Sequence, residues 1–317
     1  MLVPLPVRSG RLGQAFFIGM SKKPFKKPAL TYSQQIQLLK DRGLFVESDS
    51  RATHILEVIS YYRLSGYWYP LLKDKTNHIF KEEATFNQAF VIYCFDRELR
   101  KLILSEIEKI EIAVRAKMIY VLSLKYGPFW YADRSLFKSS SNFERSSKNL
   151  RKEYGRSDEE FFRAFKLNYS EEMPPSWMSV EITSFGTLSM MYSNLKPMRE
   201  RREIANHFGV SDLVFESWLH SLVYLRNICA HHCRLWNRSL SIAPQIPRKA
   251  PDKWIDSTAV QNNKLFFLIS IVYFLLKRVN PNAKFKNKLT MLFENYPSID
   301  LAAMDFPENW GEHDLYS

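Results

Sequence analysis

Glycine is scarce in this sequence. The 317 residues include 10 glycines, against 7 Trp, 16 Tyr and 23 Phe. Tight turns between β-strands depend on glycine, so its scarcity disfavours a sandwich or barrel and favours an all-α fold built from long helices. The sequence also lacks a Walker-type glycine loop and a GxGxxG motif, which excludes these two nucleotide-binding sites.

Cysteines and long apolar runs are also few. Three cysteines are too few for a disulfide framework, and Arg8 and Arg11 interrupt the apolar stretch where a signal peptide would lie. The longest apolar run, residues 265–276, has 12 residues including Ser270, whereas a helix needs about 20 to span a bilayer. We therefore expect a cytoplasmic protein with no membrane partner, in which residues 265–276 form a buried helix.

Acidic residues are outnumbered by basic ones, 33 to 45, and the formal net charge is +12. Such a balance attracts a polyanion or an anionic membrane surface, and nucleic acid is the commoner partner. The first 30 residues hold about half of this excess, with several prolines and no helical apolar period, which predicts a mobile basic arm. A simple solubility role for the arm is the alternative, and Met20 offers a second start of translation.

The chain divides into four predicted segments. The basic arm at 1–30 precedes an N-terminal helical extension at 31–83, a helical bundle at 84–280, and a C-terminal helix with an acidic tail at 281–317. We expect the last residues of this tail to be loosely attached. Start and stop signals predict helices at 33–43, 49–62, 85–127, 143–155, 158–168, 176–183, 187–194, 197–208, 212–232 and 265–276. A serine-rich loop is expected at 139–147 and a turn at 185–187.

The longest predicted helix follows a capping-box motif, Thr85 to Gln88, and no glycine or proline interrupts it before Gly127. Its apolar residues recur every three or four positions: Ile103, Ile107, Ile110, Val114, Met118 and Val121. Two pairs of opposite charge have the spacing of ion pairs between successive turns: Asp96 with Arg100, and Glu111 with Arg115. One face of this helix is predicted to be core and the other solvent-exposed.

The helix predicted at 212–232 has two chemically different faces. Its core face carries apolar residues at spacings of three and four: Phe215, Trp218, Leu222, Leu225 and Cys229. Four hydrogen-bonding residues share an arc about 60° wide, centred roughly 160° from the core face: His220, Tyr224, Asn227 and His231. A solvent-exposed face normally carries Lys or Glu, so this stripe indicates a binding site or an interface.

The end of this helix combines an arginine with histidines. An imidazole with a pKa near 6.5 exchanges protons at neutral pH, and a guanidinium can hold a phosphate with two hydrogen bonds. Arg226 and His231 therefore suit cleavage of an RNA phosphodiester, although about 140° separates them around a straight helix. Two alternatives stay open. The residues could simply complete hydrogen bonds at the helix end, or a zinc ion could bind there through Cys229, His231, His232 and Cys233.

The segment Arg226-Asn227-Ile228-Cys229-Ala230-His231-His232 resembles the signature of the Abi-like abortive-infection proteins. The resemblance places the chain within the wider HEPN superfamily, which is marked by an arginine and a histidine separated by four to six residues. The resemblance extends, in the same order, to residues 61–67, 95–100, 107–111 and 185–188. It covers roughly residues 30 to 280.

The resemblance implies both a fold and an activity. The fold is an HEPN-like antiparallel helical bundle, here with one very long helix and an N-terminal helical extension. The activity is metal-independent RNA cleavage without a cofactor, in a composite cleft where two Arg-His motifs of a homodimer meet. Arg226 and His231 match the catalytic pair. Asn227 and His232 match the neighbours that orient this pair or the RNA, and the stripe on the helix adds Tyr224 and His220 as supporting candidates.

RNA is the substrate that the resemblance implies, and some members of the family act with a small noncoding RNA encoded alongside. Candidate phosphate contacts lie on the long helix: Arg97, Arg100, Lys101 and Arg115. A solvated helix face with intrahelical ion pairs is their alternative. The predicted function is an endoribonuclease of an abortive-infection or toxin-like antiphage system. The alternatives are a non-catalytic RNA-binding module, associated with a small noncoding RNA or an antitoxin, and an interaction protein that dimerises through the stripe.

Overall fold

The computed structural model describes residues 24, 27–249, 251–258 and 260–317. Within them lie twelve α-helices and one two-stranded antiparallel sheet, which confirms the predicted all-α fold class. The helices are α1 (Tyr32–Asp41), α2 (Asp49–Ile59), α3 (Tyr61–Trp68), α4 (Phe86–Tyr126), α5 (Ser140–Arg156), α6 (Glu160–Asn168), α7 (Ser176–Ser179), α8 (Phe185–Asn194), α9 (Arg199–His207), α10 (Asp212–Ala230), α11 (Leu265–Val279) and α12 (Phe285–Asn295). The strands are β1 (Leu72–Asp74) and β2 (Ile79–Phe80). The predicted basic arm lies outside the described residues, apart from residues 24 and 27–30.

The chain forms two compact units, with the boundary between Tyr93 and Cys94. The first contains α1 to α3 and the hairpin of β1 and β2. Where the sequence predicts one helix at 49–62, the structure has α2 and α3, because Ser60 adopts a φ of 72°. The Ser60 hydroxyl accepts a hydrogen bond from the backbone N–H of Arg63 and so caps α3.

Helix α4 agrees with the prediction in its length and in its core face. Its 41 residues begin after Thr85, which exchanges hydrogen bonds of 3.0 Å with Gln88 in both directions. They end before Gly127, whose φ of 83° suits glycine. The six apolar residues assigned to the core face are all buried.

The two ion pairs predicted on α4 both form, but not on a solvent-exposed face. Asp96, Arg100 and Arg115 are buried, so the prediction of exposure is wrong at these positions. Other parts of the second unit cover them. The backbone N–H of Leu235 donates to Asp96, and Arg115 donates to the carbonyl oxygen of Thr183 at 2.9 Å.

Helix α11 lies in the core of the second unit, since every residue from Leu265 to Leu276 is buried, as predicted. Trp218 of α10 stacks on Trp254 with ring centroids 5.1 Å apart, and Phe274 of α11 contacts both rings edge-on. None of the helices in the described ranges combines the length and the apolar composition that a bilayer crossing needs. The cytoplasmic location stays a prediction.

Two segments that the sequence assigns to a loop and a turn begin helices instead. Ser139 accepts a hydrogen bond from the backbone N–H of Asn142 and caps α5, so the serine-rich stretch is helical from its second residue. Ser184 caps α8 in the same way through Thr187. Serine is favoured both in loops and at helix starts, which is why composition alone assigned these segments wrongly.

The C-terminal segment is packed into the second unit, so the prediction of a loosely attached tail is wrong. Phe306, Leu315 and Tyr316 are buried there. The Tyr316 ring stacks on that of Tyr273 at 5.1 Å, and its hydroxyl lies 3.1 Å from the Ser270 hydroxyl. These anchors are isolated among polar residues and have no period, which left them without a sequence signal.

Candidate active site

Helix α10 places the predicted residues on two sides, as its spacing indicates. Ser211 caps its first turn, where its hydroxyl accepts a hydrogen bond from the N–H of Val214. The five residues predicted for the core face are at most 3% exposed: Phe215, Trp218, Leu222, Leu225 and Cys229. This packing fixes the rotation of the helix and so turns the opposite stripe towards solvent.

The C-terminal end of α10 is a Schellman motif that carries both histidines. Cys233 N–H donates to the carbonyl of Ile228 at 3.0 Å, and His232 N–H donates to that of Cys229 at 3.1 Å. His232 takes the left-handed conformation, with a φ of 56°, at the position where glycine is usual. His231 caps the helix and is exposed. The two histidines thus project from a hydrogen-bonded turn.

A buried carboxylate on α4 holds the chain just after this turn. Asp96 is fully buried and accepts hydrogen bonds from the backbone N–H of Leu235, at 3.1 Å, and of Trp236, at 2.6 Å. Arg100 pairs with the same carboxylate and is also buried. Sequence reasoning did not find this role, although Asp96 lies in a segment that carries the family resemblance.

The stripe opposite the core face is accessible. His220, Asn227 and His231 are exposed, and none of their side chains has a hydrogen-bond partner among the described residues. Tyr224 is half-buried, and its hydroxyl lies 3.4 Å from that of Ser241 and 3.5 Å from Arg238. Burial would raise the pKa of Tyr224, but the hydrogen bond to Ser241 and the charge of Arg238 outweigh it and lower the pKa.

Arg238 is a basic residue of this surface that sequence reasoning did not find. One guanidinium nitrogen donates to the carbonyl of Arg234 at 3.2 Å and the other donates to the Tyr224 hydroxyl, so the side chain is held against the stripe. A guanidinium in that place can meet a phosphate that lies along the stripe. The loop that carries Arg238 has no helical period, and so it gave no sequence signal.

Arg226 lines a pocket of about 410 Å³ on the side of α10 that faces α4. Among the residues that the structure describes, none forms an ion pair or a side-chain hydrogen bond with Arg226. Three glutamates and a second arginine line the same pocket: Glu108, Glu111, Glu181 and Arg115. Burial raises the pKa of Glu111, although the charges of Arg115 and Arg226 oppose this shift.

Among the described residues, no hydrogen bond joins Arg226 to His231, and the pocket that Arg226 lines does not include His231. Arg226 is half-buried beside α4, whereas His231 is exposed at the end of the stripe. This agrees with the angle of about 140° that helical geometry gives for the two positions. Helical geometry alone therefore does not aim the two groups of one chain at a common point.

The four candidate RNA contacts on α4 fall into two groups. Arg97 and Lys101 are exposed and flank Glu98, which lies 3.0 Å from the former and 3.2 Å from the latter. Arg100 is buried in its ion pair with Asp96, and a phosphate cannot reach it without breaking that pair. Arg115 is also buried, and it donates to Glu111 at 2.8 Å. Only the exposed pair is retained as a candidate phosphate contact.

The cysteines near the motif differ in accessibility. Cys229 is 3% exposed, and burial, with the nearby charge of Asp96, raises the pKa of its thiol to about 12. Cys233 is exposed. In the described part of the chain, no group of three or more His, Cys, Asp or Glu residues is arranged to hold a metal ion. A buried thiol with a raised pKa is a poor zinc ligand, because zinc binds the thiolate.

The sequence model of the Abi-like protein family matches residues 54–237, more than half of the chain. No curated protein and no solved structure matches the chain. The matched range ends one residue after Trp236, so it includes the end of α10 and the backbone that Asp96 holds. Membership of the HEPN superfamily stays a prediction.

Proposed function

Because the chain belongs to the Abi-like protein family, we propose that it acts in abortive-infection defence as a metal-independent endoribonuclease. The observation that carries the proposal is the end of α10. There an exposed histidine and an arginine without an ion pair among the described residues accompany a stripe of accessible hydrogen-bonding side chains. A net charge of +12 favours RNA as the ligand.

In the proposed reaction the ribose 2′-oxygen attacks the adjacent phosphorus while the bond from phosphorus to the 5′-oxygen breaks. The products are a 2′,3′-cyclic phosphate and a 5′-hydroxyl. A histidine either takes the proton of the 2′-hydroxyl or gives a proton to the leaving 5′-oxygen, and His231 is the candidate. Arg226 stabilises the negative charge that develops on the phosphate.

A homodimer would complete the site, since helical spacing does not aim Arg226 and His231 of one chain at a common point. An exposed stripe on α4, with four-residue spacing and mostly large apolar side chains, supports a second copy: Ile112, Ala116, Tyr120 and Leu124. Ile112 also lines the pocket of Arg226. A partner docked on this α4 stripe would therefore approach the pocket of Arg226, and the proposal requires the partner's histidine to reach that pocket.

The experiment is incubation of the purified chain with labelled single-stranded RNA in EDTA, followed by analysis of the product ends. Cleavage that leaves 2′,3′-cyclic phosphate is expected for the wild type and is expected to be lost in Arg226→Ala and His231→Ala. The matched controls are Arg202→Ala and His54→Ala, which change exposed residues outside the motif. Unchanged thermal unfolding would show that the loss is chemical. Cleavage that survives His231→Ala would overturn the proposal.

A non-catalytic RNA-binding module is the second candidate. It is favoured by the three glutamates around Arg226, which oppose the approach of a phosphate to that pocket in a single chain. In this case the wild type cleaves no RNA, and substitution of Arg97 or Lys101 lowers affinity and its salt dependence. A small noncoding RNA or an antitoxin would then be the partner.

A further inference from the structure

A cleft of about 630 Å³ opens among α5, α8 and α10. His220 lines it and also begins the stripe that runs along α10 to His231. We propose that this cleft, the polar cleft, binds one unpaired base of a single-stranded RNA and so selects where the RNA is cut. The inference rests on the proposed function, since it names a recognition site for the same substrate.

The hydrogen-bonding groups of the polar cleft match a nucleobase. Asn142 and Gln245 each present an amide that both donates and accepts, and neither side chain has a partner among the described residues. The edge of a base likewise offers donors and acceptors without net charge. Ser189 and Ser193 add hydroxyl groups to the same lining.

The walls of the polar cleft can also hold the face of a base. Met190 and Val223 supply apolar surface. The Nε of Arg145 lies 2.9 Å from the sulfur of Met190, which holds a guanidinium plane at the wall. Bases in single-stranded RNA stack on such planes, and the positive charge can meet a neighbouring phosphate.

The polar cleft contains one carboxylate, and that carboxylate is already paired. Glu216 forms an ion pair with Arg201 and lies 4.0 Å from the ammonium group of Lys138. Its charge therefore offers little repulsion to an incoming nucleotide. Arg145 and Glu216 carry opposite charges in this lining, so the cleft has no net negative charge to oppose RNA.

The wall that carries Gln245 is fixed before any ligand arrives. The backbone N–H of Gln245 donates to the Ser217 hydroxyl at 2.8 Å, and the Trp218 indole N–H donates to the backbone carbonyl of Gln245 at 2.9 Å. Ligand binding thus costs little ordering of this loop. His220 and His231 are eleven positions apart, about 16 Å along the helix, so a strand on the stripe would place the base a few nucleotides from the cut.

The test measures binding of labelled oligo(A), oligo(C) and oligo(U) by fluorescence anisotropy in the His231→Ala background, which prevents cleavage. We expect one oligonucleotide to bind best, and Asn142→Ala or Gln245→Ala to reduce that preference about fivefold, as loss of one hydrogen bond does. Asn206→Ala is the matched control, because Asn206 is exposed on α9 and does not line the cleft. Arg145→Ala should weaken binding of all three oligonucleotides to the same extent and lower the slope of log affinity against log salt concentration by about one. Arg202→Ala, the control, should change neither quantity.

The inference is overturned if the chain binds no RNA, if it shows no preference, or if the cleft variants keep the preference of the background. Cleavage by the chain without the background substitution, mapped in parallel in EDTA, separates the two proposals. If Asn142→Ala cuts RNA at the same positions as the wild type, the nuclease proposal stands and the base-binding proposal is wrong. If the chain shows a base preference that depends on the cleft but cleaves no RNA, the base-binding proposal stands and the nuclease proposal is wrong. Thermal unfolding of each variant confirms that it is folded.

Discussion

Asp96 is a fully buried carboxylate that accepts two backbone N–H groups and one guanidinium. Removal of a charge from such a pair leaves the other charge buried without compensation, which costs more than the pair itself contributes. Its backbone partners, Leu235 and Trp236, follow His232 by only three and four residues. Asp96 therefore supports both the fold and the position of His231.

The substitution Asp96→Ala should lower the free energy of unfolding by about 3–5 kcal/mol, because it removes the carboxylate that pairs with the buried Arg100 and accepts the backbone N–H groups of Leu235 and Trp236. Urea unfolding measures this. Glu98→Ala is the control on the same helix. Glu98 pairs with Lys101 at the surface, so its loss should cost less than about 1 kcal/mol. Equal losses in the two variants would contradict the buried role of Asp96.

At the scale of the element, α4 and α11 were predictable, because α4 has a periodic apolar pattern between a capping box and Gly127, and α11 contains an apolar run of 12 residues including Ser270. The break between α2 and α3 at Ser60 was not predictable, because no glycine or proline in the sequence marks the φ of 72° that Ser60 adopts. Asp96 shows the same limit for the site. An acidic residue and an arginine four positions apart have the same sequence spacing whether the helix face is buried or exposed. The spacing therefore predicted the ion pair of Asp96 and Arg100 but not its burial.

Glu106 links α4 to α12. It is 1% exposed, and it accepts hydrogen bonds from Lys109 at 2.6 Å and from Lys288 at 2.7 Å. Burial alone would raise its pKa, but the two ammonium groups outweigh burial and hold the pKa below the ordinary 4.5. A depressed pKa means that this link stabilises the folded state above pH 4.5 and that the stabilisation is lost as the pH falls through the folded-state pKa.

Lys288→Met should therefore cost about 1 kcal/mol at neutral pH, a small value because the Lys288 side chain is about half exposed. The difference from wild type should shrink in acid, where Glu106 is protonated in both proteins. Urea unfolding across this pH range measures it. Lys284→Met, which changes an exposed lysine one turn earlier at the start of α12, should show no such pH dependence.

At the scale of the whole molecule, the separation of Arg226 from His231 bears on how many chains form the site. His231 does not line the pocket of Arg226, and the α4 stripe leaves Tyr120 61% and Leu124 72% exposed. A two-fold dimer would bury the same surface of both copies. Each composite site would then take its arginine from one chain and its histidine from the other.

A mixture of the Arg226→Ala and His231→Ala variants tests this arrangement. In a mixed dimer one composite site lacks both groups and the other holds both, so mixing equal amounts should restore up to about a quarter of wild-type cleavage. Leu124→Glu in both variants should abolish the recovery and give a monomer in light scattering. Leu167→Glu, at an exposed leucine outside the stripe, should do neither. No recovery on mixing, with dimers present, would show that the site lies within one chain.

The left-handed conformation of His232 would set the proposed catalysis against stability at one residue. Glycine adopts a φ of 56° at less cost than histidine does, so His232→Gly should raise the free energy of unfolding by about 0.5 kcal/mol in urea. Lys253→Gly, at a φ of 53° away from the motif, should do the same without any change in cleavage. If only the former variant cleaves more slowly, the helix end gives up stability to keep an imidazole beside the RNA.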